Sequence, residues 1–171
     1  MNIPNTSVIL RAMEPEDLDL LYKIENDTQL WNVGATNVPY SHYTLHDYIA
    51  TSSDDIYADR QVRMMVENRQ STVVGIIDIV NFDASNRRAE VGVIILNEHR
   101  RQGYAFDALR CIADYAQRIL HLRQLYAIAD ADNVAAVSLF DKAGYQEAAK
   151  LTEWLYDGKV FHDALLLQRF F

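Results

Sequence analysis

Val91-Gly92-Val93-Ile94-Ile95-Leu96 runs without a polar side chain into Asn97-Glu98-His99-Arg100-Arg101-Gln102-Gly103-Tyr104-Ala105, and beyond it the period of the apolar residues changes. The first six residues read as a buried strand. Ala105, Ala108, Leu109, Ile112, Ala116, Ile119 and Leu120 then recur at helical spacing, with Asp107 early and Arg118 late to suit the helix dipole. A strand therefore delivers a loop to a helix N-terminus. Gly103 lets the backbone turn without a Cβ clash and the small Ala105 admits a close neighbour, so successive N–H groups can converge on one point beside Arg100 and Arg101. Unsatisfied amides and the positive helix end together favour an anion such as a pyrophosphate. The stretch matches neither G-x-x-x-x-G-K-[ST] nor a G-x-G-x-x-G that follows a strand.

Outward from this segment the pattern is regular. Gln61 to Glu67, Thr72 to Phe82 and Ala89 to Leu96 alternate as strands separated by polar turns, which predicts an antiparallel meander. Leu125 to Ala129 reads as a strand, and Val134 to Ala143 as a helix stopped at Gly144. Two last strands flank Asp157-Gly158. Upstream, Val8 to Arg11 is a short strand. Glu14-Pro15-Glu16-Asp17 opens a helix with Pro at its first position and acids in its first turn. Thr44 with Asp47 resembles a cap for a second short helix, and Asn26 to Tyr43 between them reads as loop. The order β α α β β β α β α β β describes one α/β (α+β) domain over residues 1–171, with about seven strands and four helices.

Composition narrows the function. The chain has 171 residues, half of them hydrophobic, enough for one core. A net charge of −8 argues against a nucleic-acid footprint. No apolar run of about 18 residues offers a membrane span, and the first residues lack the pattern of a secretory signal, so a cytoplasmic protein is expected. Residues 1–60 hold ten acids against three bases and carry nearly all the excess charge. That third of the chain either projects a field that draws in a cationic ligand or holds solvated acids on two short helices.

Arg100-x-x-Gly103-x-Ala105 after an apolar strand resembles the acyl-coenzyme A signature of the GNAT superfamily of N-acetyltransferases. Asn133-Val-Ala-Ala136-Val-Ser-Leu139-Phe140-Asp-Lys142-Ala-Gly144-Tyr145 is similar to the superfamily's second motif, an Asn-capped helix beside the cofactor. Within the superfamily the chain looks most like the spermidine-type and ribosomal-protein N-terminal branches, with Arg88-Ala89-Glu90 and the Asp157-Gly158 hairpin contributing. The resemblance implies a mixed, mostly antiparallel twisted sheet splayed between strands 4 and 5, with the pantetheine arm of acetyl-CoA laid in the gap. It implies contacts from Ile94, Ile95, Leu96, Arg100, Arg101, Gln102, Gly103, Tyr104, Ala105, Asn133, Phe140 and Lys142. Asn133 either reaches the arm or only caps its helix.

Transfer to an amine needs a proton acceptor, and Glu90 is the candidate; its alternative role is a structural partner of Arg87 or Arg88. A backbone N–H in the opened strand, that of Ile95, is the candidate oxyanion donor. In the spermidine-type branch a tyrosine protonates the departing sulfur, and here that position is Phe140. For the acceptor pocket the first two helices and their loop offer Glu25, Trp31, Tyr40 and Asp47, with Tyr43 and Tyr48, acids and rings that could hold a cation or simply pack. Three readings follow: an N-acetyltransferase acting on a small cationic, polyamine-like amine; one acting on a peptide N-terminus; and a non-catalytic acyl-CoA-binding module. A homo-oligomer stays open. No metal is expected, because a cap at Thr44 would leave His42 outside the helix that carries His46. His162 reads as isolated, and Cys111 as a packed thiol.

Overall fold

The computed structural model describes residues 1, 3–28, 38–53 and 55–171. Seven strands form one sheet: β1 (Val8–Arg11), β2 (Val62–Asn68), β3 (Val73–Asp83), β4 (Arg88–Ile95), β5 (Gln124–Asp130), β6 (Gln146–Tyr156) and β7 (Phe161–Phe170), in the order β1-β2-β3-β4-β5-β7-β6. Every neighbouring pair is antiparallel except β4 with β5. The helices are α1 (Leu18–Glu25), α2 (His42–Thr51), α3 (Ile56–Asp59), α4 (Tyr104–Arg118) and α5 (Val134–Lys142).

The 2.0 period of the strands divides the interior into two layers. Ala89, Val91 and Ile95 of β4 join Leu109, Ile112 and Ala116 of α4 and Phe140 of α5 in the main core. The opposite face carries a smaller cluster, Met65, Ile76 and Ile24 of α1, with Ile94 and Leu96 packed against it. Each fully buried Leu or Ile contributes roughly 2 kcal/mol by leaving water. Gly75 faces Ile95 across β3 and β4, where a Cβ would meet the Ile94 carbonyl oxygen at 2.1 Å. Only glycine admits that approach.

The elements follow the expected order, with three corrections upstream. Ser41, not Thr44, caps α2: its side chain accepts from Thr44 N at 3.0 Å, so the helix begins at His42. His42 and His46 therefore share α2, against the expectation that the cap would separate them, and His42 stacks on Tyr22 of α1 at 3.9 Å. The single turn α3 is an addition, capped by Asp55 and too short for a periodicity to register. Glu14-Pro15-Glu16-Asp17 gives a 3-10 turn at Pro15–Asp17 before α1 proper. No helix among the described residues is long and apolar enough to cross a membrane.

Candidate functional site

The parallel β4–β5 ladder lasts for three rungs, Arg88 with Gln124, Ala89 with Leu125 and Glu90 with Tyr126. Past that point β4 continues on β3 as far as Ile95, and β5 continues on β7 as far as Asp130. The sheet opens into a V with Glu90 and Tyr126 at its vertex. In an antiparallel ladder successive residues turn their main-chain groups to opposite sides. Leu96 N donates to Val74 O at 2.9 Å, so Leu96 and Ile94 turn toward β3, while Ile95, Val93 and Val91 turn toward the gap. On the far wall Ala131 N bonds Asp163 O at 3.0 Å, which turns the main-chain groups of Ile128 and the Asp130 N–H toward the gap, while Asp130 O accepts from Asn133 N at 3.0 Å. Of the three backbone partners named from sequence, Ile95 alone faces the opening, and Val93 joins it.

Beyond Ile95 the chain curls through a 3-10 turn at Asn97–His99 into α4. Arg101 (φ 60) and Gly103 (φ 85) are both left-handed, with Gln102 between them. Such alternation gathers main-chain N–H groups into a concave nest. A Cβ at Gly103 would meet nothing within 4 Å, so the requirement for glycine is its φ, and the space above it is open. No side chain caps α4, which leaves the first-turn N–H groups, including those of Tyr104 and Ala105, directed outward with the positive dipole end. Arg100 does not reach into that space: its Nε donates to Ile95 O at 3.0 Å and staples the loop to the strand. Arg101 and Gln102 are exposed at the rim, Gln102 lying 3.5 Å from Glu98 O. The arrangement suits a diphosphate at the helix end and an extended amide-bearing arm in the V.

Asn133 caps α5, its Oδ1 accepting from Ala136 N at 3.1 Å. Lys142 is exposed at the other end of that helix. Phe140, expected on the cofactor arm, is instead a core residue, 6% exposed and edge-on to Tyr145 at 5.1 Å. Tyr145 is 1% exposed, and burial pushes its hydroxyl's pKa well up, so it keeps its proton.

The acceptor candidates are not brought together. Trp31 lies outside the described residues. Tyr40 is held through its main chain by Asn26, at 2.9 and 3.1 Å. Asp47 is exposed on α2. Glu25 is turned inward, where its carboxylate pairs with Arg63 of β2. Arg63 also grips Asp78 of β3 through two bonds of 2.8 Å, and the half-buried Tyr48 lies beside this trio. Burial alone would depress the Arg63 pKa, but the two carboxylates outweigh it and hold the guanidinium charged. The missed residues, Arg63 and Asp78, carried a signal: each is a lone charge inside an apolar strand, and a buried charge demands a partner.

Glu90 accepts a 2.8 Å bond from Asn81 Nδ2. Its alternative partners are engaged elsewhere, Arg87 donating to His121 O at 2.7 Å and Arg88 lying 3.3 Å from Asp83. Beside it, at the end of the sheet where β3 turns into β4, a cleft of about 700 Å³ is lined by Tyr57, Arg60, Asn81, Asp83, Arg88 and Tyr126 among others. His162 is not isolated: it sits among Asp157 at 3.2 Å, Asp130 at 3.8 Å and Asp132 at 3.9 Å. The Asp157 hydrogen bond foremost raises its pKa, so the three carboxylates favour its charged form.

Comparison with known proteins agrees with this geometry. The family model described as "Acetyltransferase (GNAT) domain" matches residues 7–146. The chain is 25% identical over 159 residues to the spermidine N(1)-acetyltransferase of Vibrio cholerae, covering 93% of this chain and 90% of that one. It is 28% identical over 163 residues to the putative ribosomal N-acetyltransferase YdaF of Bacillus subtilis, covering 93% and 88%. The crystal structure of the Vibrio cholerae spermidine N-acetyltransferase in complex with CoA and spermine superposes with a TM-score of 0.85 at 25% identity, covering 96% of this chain and 95% of that one. The opened sheet, the uncapped helix and the matched family model agree: the chain belongs to the GNAT family of acetyltransferases.

Proposed function

We propose that the protein transfers an acetyl group from acetyl-CoA to a small cationic alkylamine, polyamine-like, by direct attack on the thioester. The observation that carries this reading is the V between β4 and β5, which leads from Glu90 to the uncapped end of α4. Bound there, acetyl-CoA supplies the activated acyl group. The Gln102–Ala105 amides would hold its diphosphate, and the Ile95 N–H, free of β3, would face negative charge developing on the acyl oxygen. An alkylamine of pKa about 10.4 is neutral in only about one molecule in two thousand at pH 7, a cost of about 4.6 kcal/mol. Glu90, from which Arg87 and Arg88 are drawn away by other partners, would take up that proton, and the acceptor would reach it through the cleft beside Asn81 and Tyr126. Phe140 has no proton to give, so the thiolate, with a thiol pKa of about 8.5, would leave unassisted.

One observation favours a second acceptor, a peptide N-terminus. Among the described residues the Arg60 side chain in the cleft has no partner, whereas Asp83 there is engaged by Asn86 and Arg88. A free guanidinium suits peptide carbonyls or a carboxylate better than a second ammonium. Thiol release from acetyl-CoA, measured with spermidine, aminoglycosides, amino acids and short peptides, decides. Release with spermidine is expected. Activity with peptides alone would transfer the assignment to the second reading, and no release with any acceptor, despite tight acetyl-CoA binding, would leave an acyl-CoA-binding module. A cytoplasmic location is part of this proposal and is checked by cell fractionation.

A further inference from the structure

Arg60 lies between α3 and β2 in a left-handed conformation (φ 55), where glycine or asparagine would sit with less strain. Its main chain is fixed on both sides: the N–H donates to Ile56 O and the carbonyl accepts from Phe82 N, each at 3.0 Å. Tyr57 of the same turn stands edge-on to Phe82 at 5.1 Å. The residue before Phe82 is Asn81, whose amide donates to Glu90 at 2.8 Å. A braced turn therefore carries the Arg60 side chain at the wall of the cleft, and its main chain bonds the residue next to the one that holds Glu90.

The other charges of the cleft are committed. Asp59 accepts from the Ser53 hydroxyl at 2.7 Å. Asp83 accepts from the Asn86 N–H and side-chain amide at 2.9 and 2.7 Å and lies 3.3 Å from Arg88. On the neighbouring side, past Gln61 and Val80, Arg63 is paired with Asp78 and Glu25. Among the described residues the exposed Arg60 guanidinium has neither an ion pair nor a side-chain hydrogen bond. The cleft thus sets an unpaired guanidinium on its wall and, behind Asn81, the Glu90 carboxylate. An amine held at Glu90 meets Arg60 with whatever its far end carries. A carboxylate or carbonyl oxygen there gains a charge-assisted bond, and a second ammonium is repelled.

We propose that Arg60 is a specificity-determining residue that reads the far end of the acceptor, favouring an amine that also carries a carboxylate or carbonyl oxygen and working against one that carries a second ammonium. The inference rests on the reading that the protein acetylates an amine that reaches Glu90 through this cleft. Spermidine is then acetylated in spite of Arg60, not with its help.

The test measures kcat/KM for thiol release from acetyl-CoA with two acceptors of the same carbon chain length that share a primary alkylamine and differ at the other end, δ-aminovalerate and cadaverine, with spermidine beside them. The ratio of the first two, taken on one preparation, cancels any loss of folded protein. Arg60→Gln should lower the ratio of δ-aminovalerate to cadaverine about tenfold, roughly threefold from each arm as befits an exposed charge, and Arg60→Glu should lower it about tenfold further while spermidine gains. Raising the salt concentration should shrink the wild-type ratio more than that of Arg60→Gln, because salt screens the charge that the variant lacks. A ratio that both substitutions leave within about twofold of wild type, or that rises, overturns the inference, while thiol release in the same assays leaves acetyl transfer standing. No release with any of the three acceptors removes the acetyl-transfer reading and this inference with it.

Discussion

On the α4 side of β4 the main chain is left open: the Val93 and Ile95 amides face a gap and the first turn of a 15-residue helix has no cap. On the α1 side the opposite holds, because Glu25, Arg63 and Asp78 saturate one another and Asn26 occupies the main chain of Tyr40. Under the proposed function the first region would bind by what the fold withholds from itself, with backbone geometry setting its specificity. The second is a finished structural joint, and the proposed reaction would therefore draw its acceptor selectivity from the margins of that joint, the cleft residues and Glu90.

The sharpest attack on that contrast is Arg63→Ala. If the joint is structural, the variant takes the guanidinium away from the half-buried Asp78 carboxylate and from Glu25 and should lose about 2 kcal/mol in urea unfolding, a figure already reduced for partial exposure. Intact stability with altered acceptor KM would turn the joint into a binding site. Gly103→Val attacks the other half. It should weaken acetyl-CoA at least tenfold by calorimetry, by closing the nest, and cost about 1–2 kcal/mol of stability for a β-branched residue at φ 85. Equal affinity would show that the curl is not a binding element.

Phe140→Tyr should change the rate less than threefold, since its ring is turned into the core against Tyr145, and should lower stability by about 1 kcal/mol through a hydroxyl buried there. A large gain in rate would reopen the acid position. The smallest effect concerns the β6–β7 hairpin. The raised pKa of His162 means its ion pairs are fully present below its ordinary pKa of about 6.5 and fade as pH climbs past the raised value. The Asp157 carboxyl, drawn down to about 2 mainly by the Val160 and Lys159 N–H groups, contributes above the usual carboxylate range and is lost only in strong acid. Thermal unfolding should therefore occur at a slightly higher temperature at pH 5.5 than at pH 8.5, and His162→Gln should erase that difference.

What the sequence made legible follows from distance along the chain. The strand, the curl at Gly103 and the amphipathic α4 are consecutive, so their period and punctuation carry the whole message. Asn133 at the head of α5 is equally local. The acceptor face is assembled from residues far apart, Glu25 with Arg63 and Asp78, or Asn81 with Glu90 and Tyr126, and no spacing rule announces such meetings. Glu25 looked available because its partner lies 38 positions away. Thr44 looked like a cap because Asp47 follows it three residues on, whereas Thr44 is the residue whose N–H the true cap, Ser41, accepts at 3.0 Å. Phe140 was named for the arm from the motif alone, which gives the residue type but not the direction of the ring.

Gly75 sets a limit on redesign. With no side chain between β3 and β4 opposite Ile95, the two backbones rest against each other, and β4 has nowhere to retreat. A groove broad enough for a longer or branched acyl chain would have to be won on the other wall, by moving β5 together with the β7 strand paired along it.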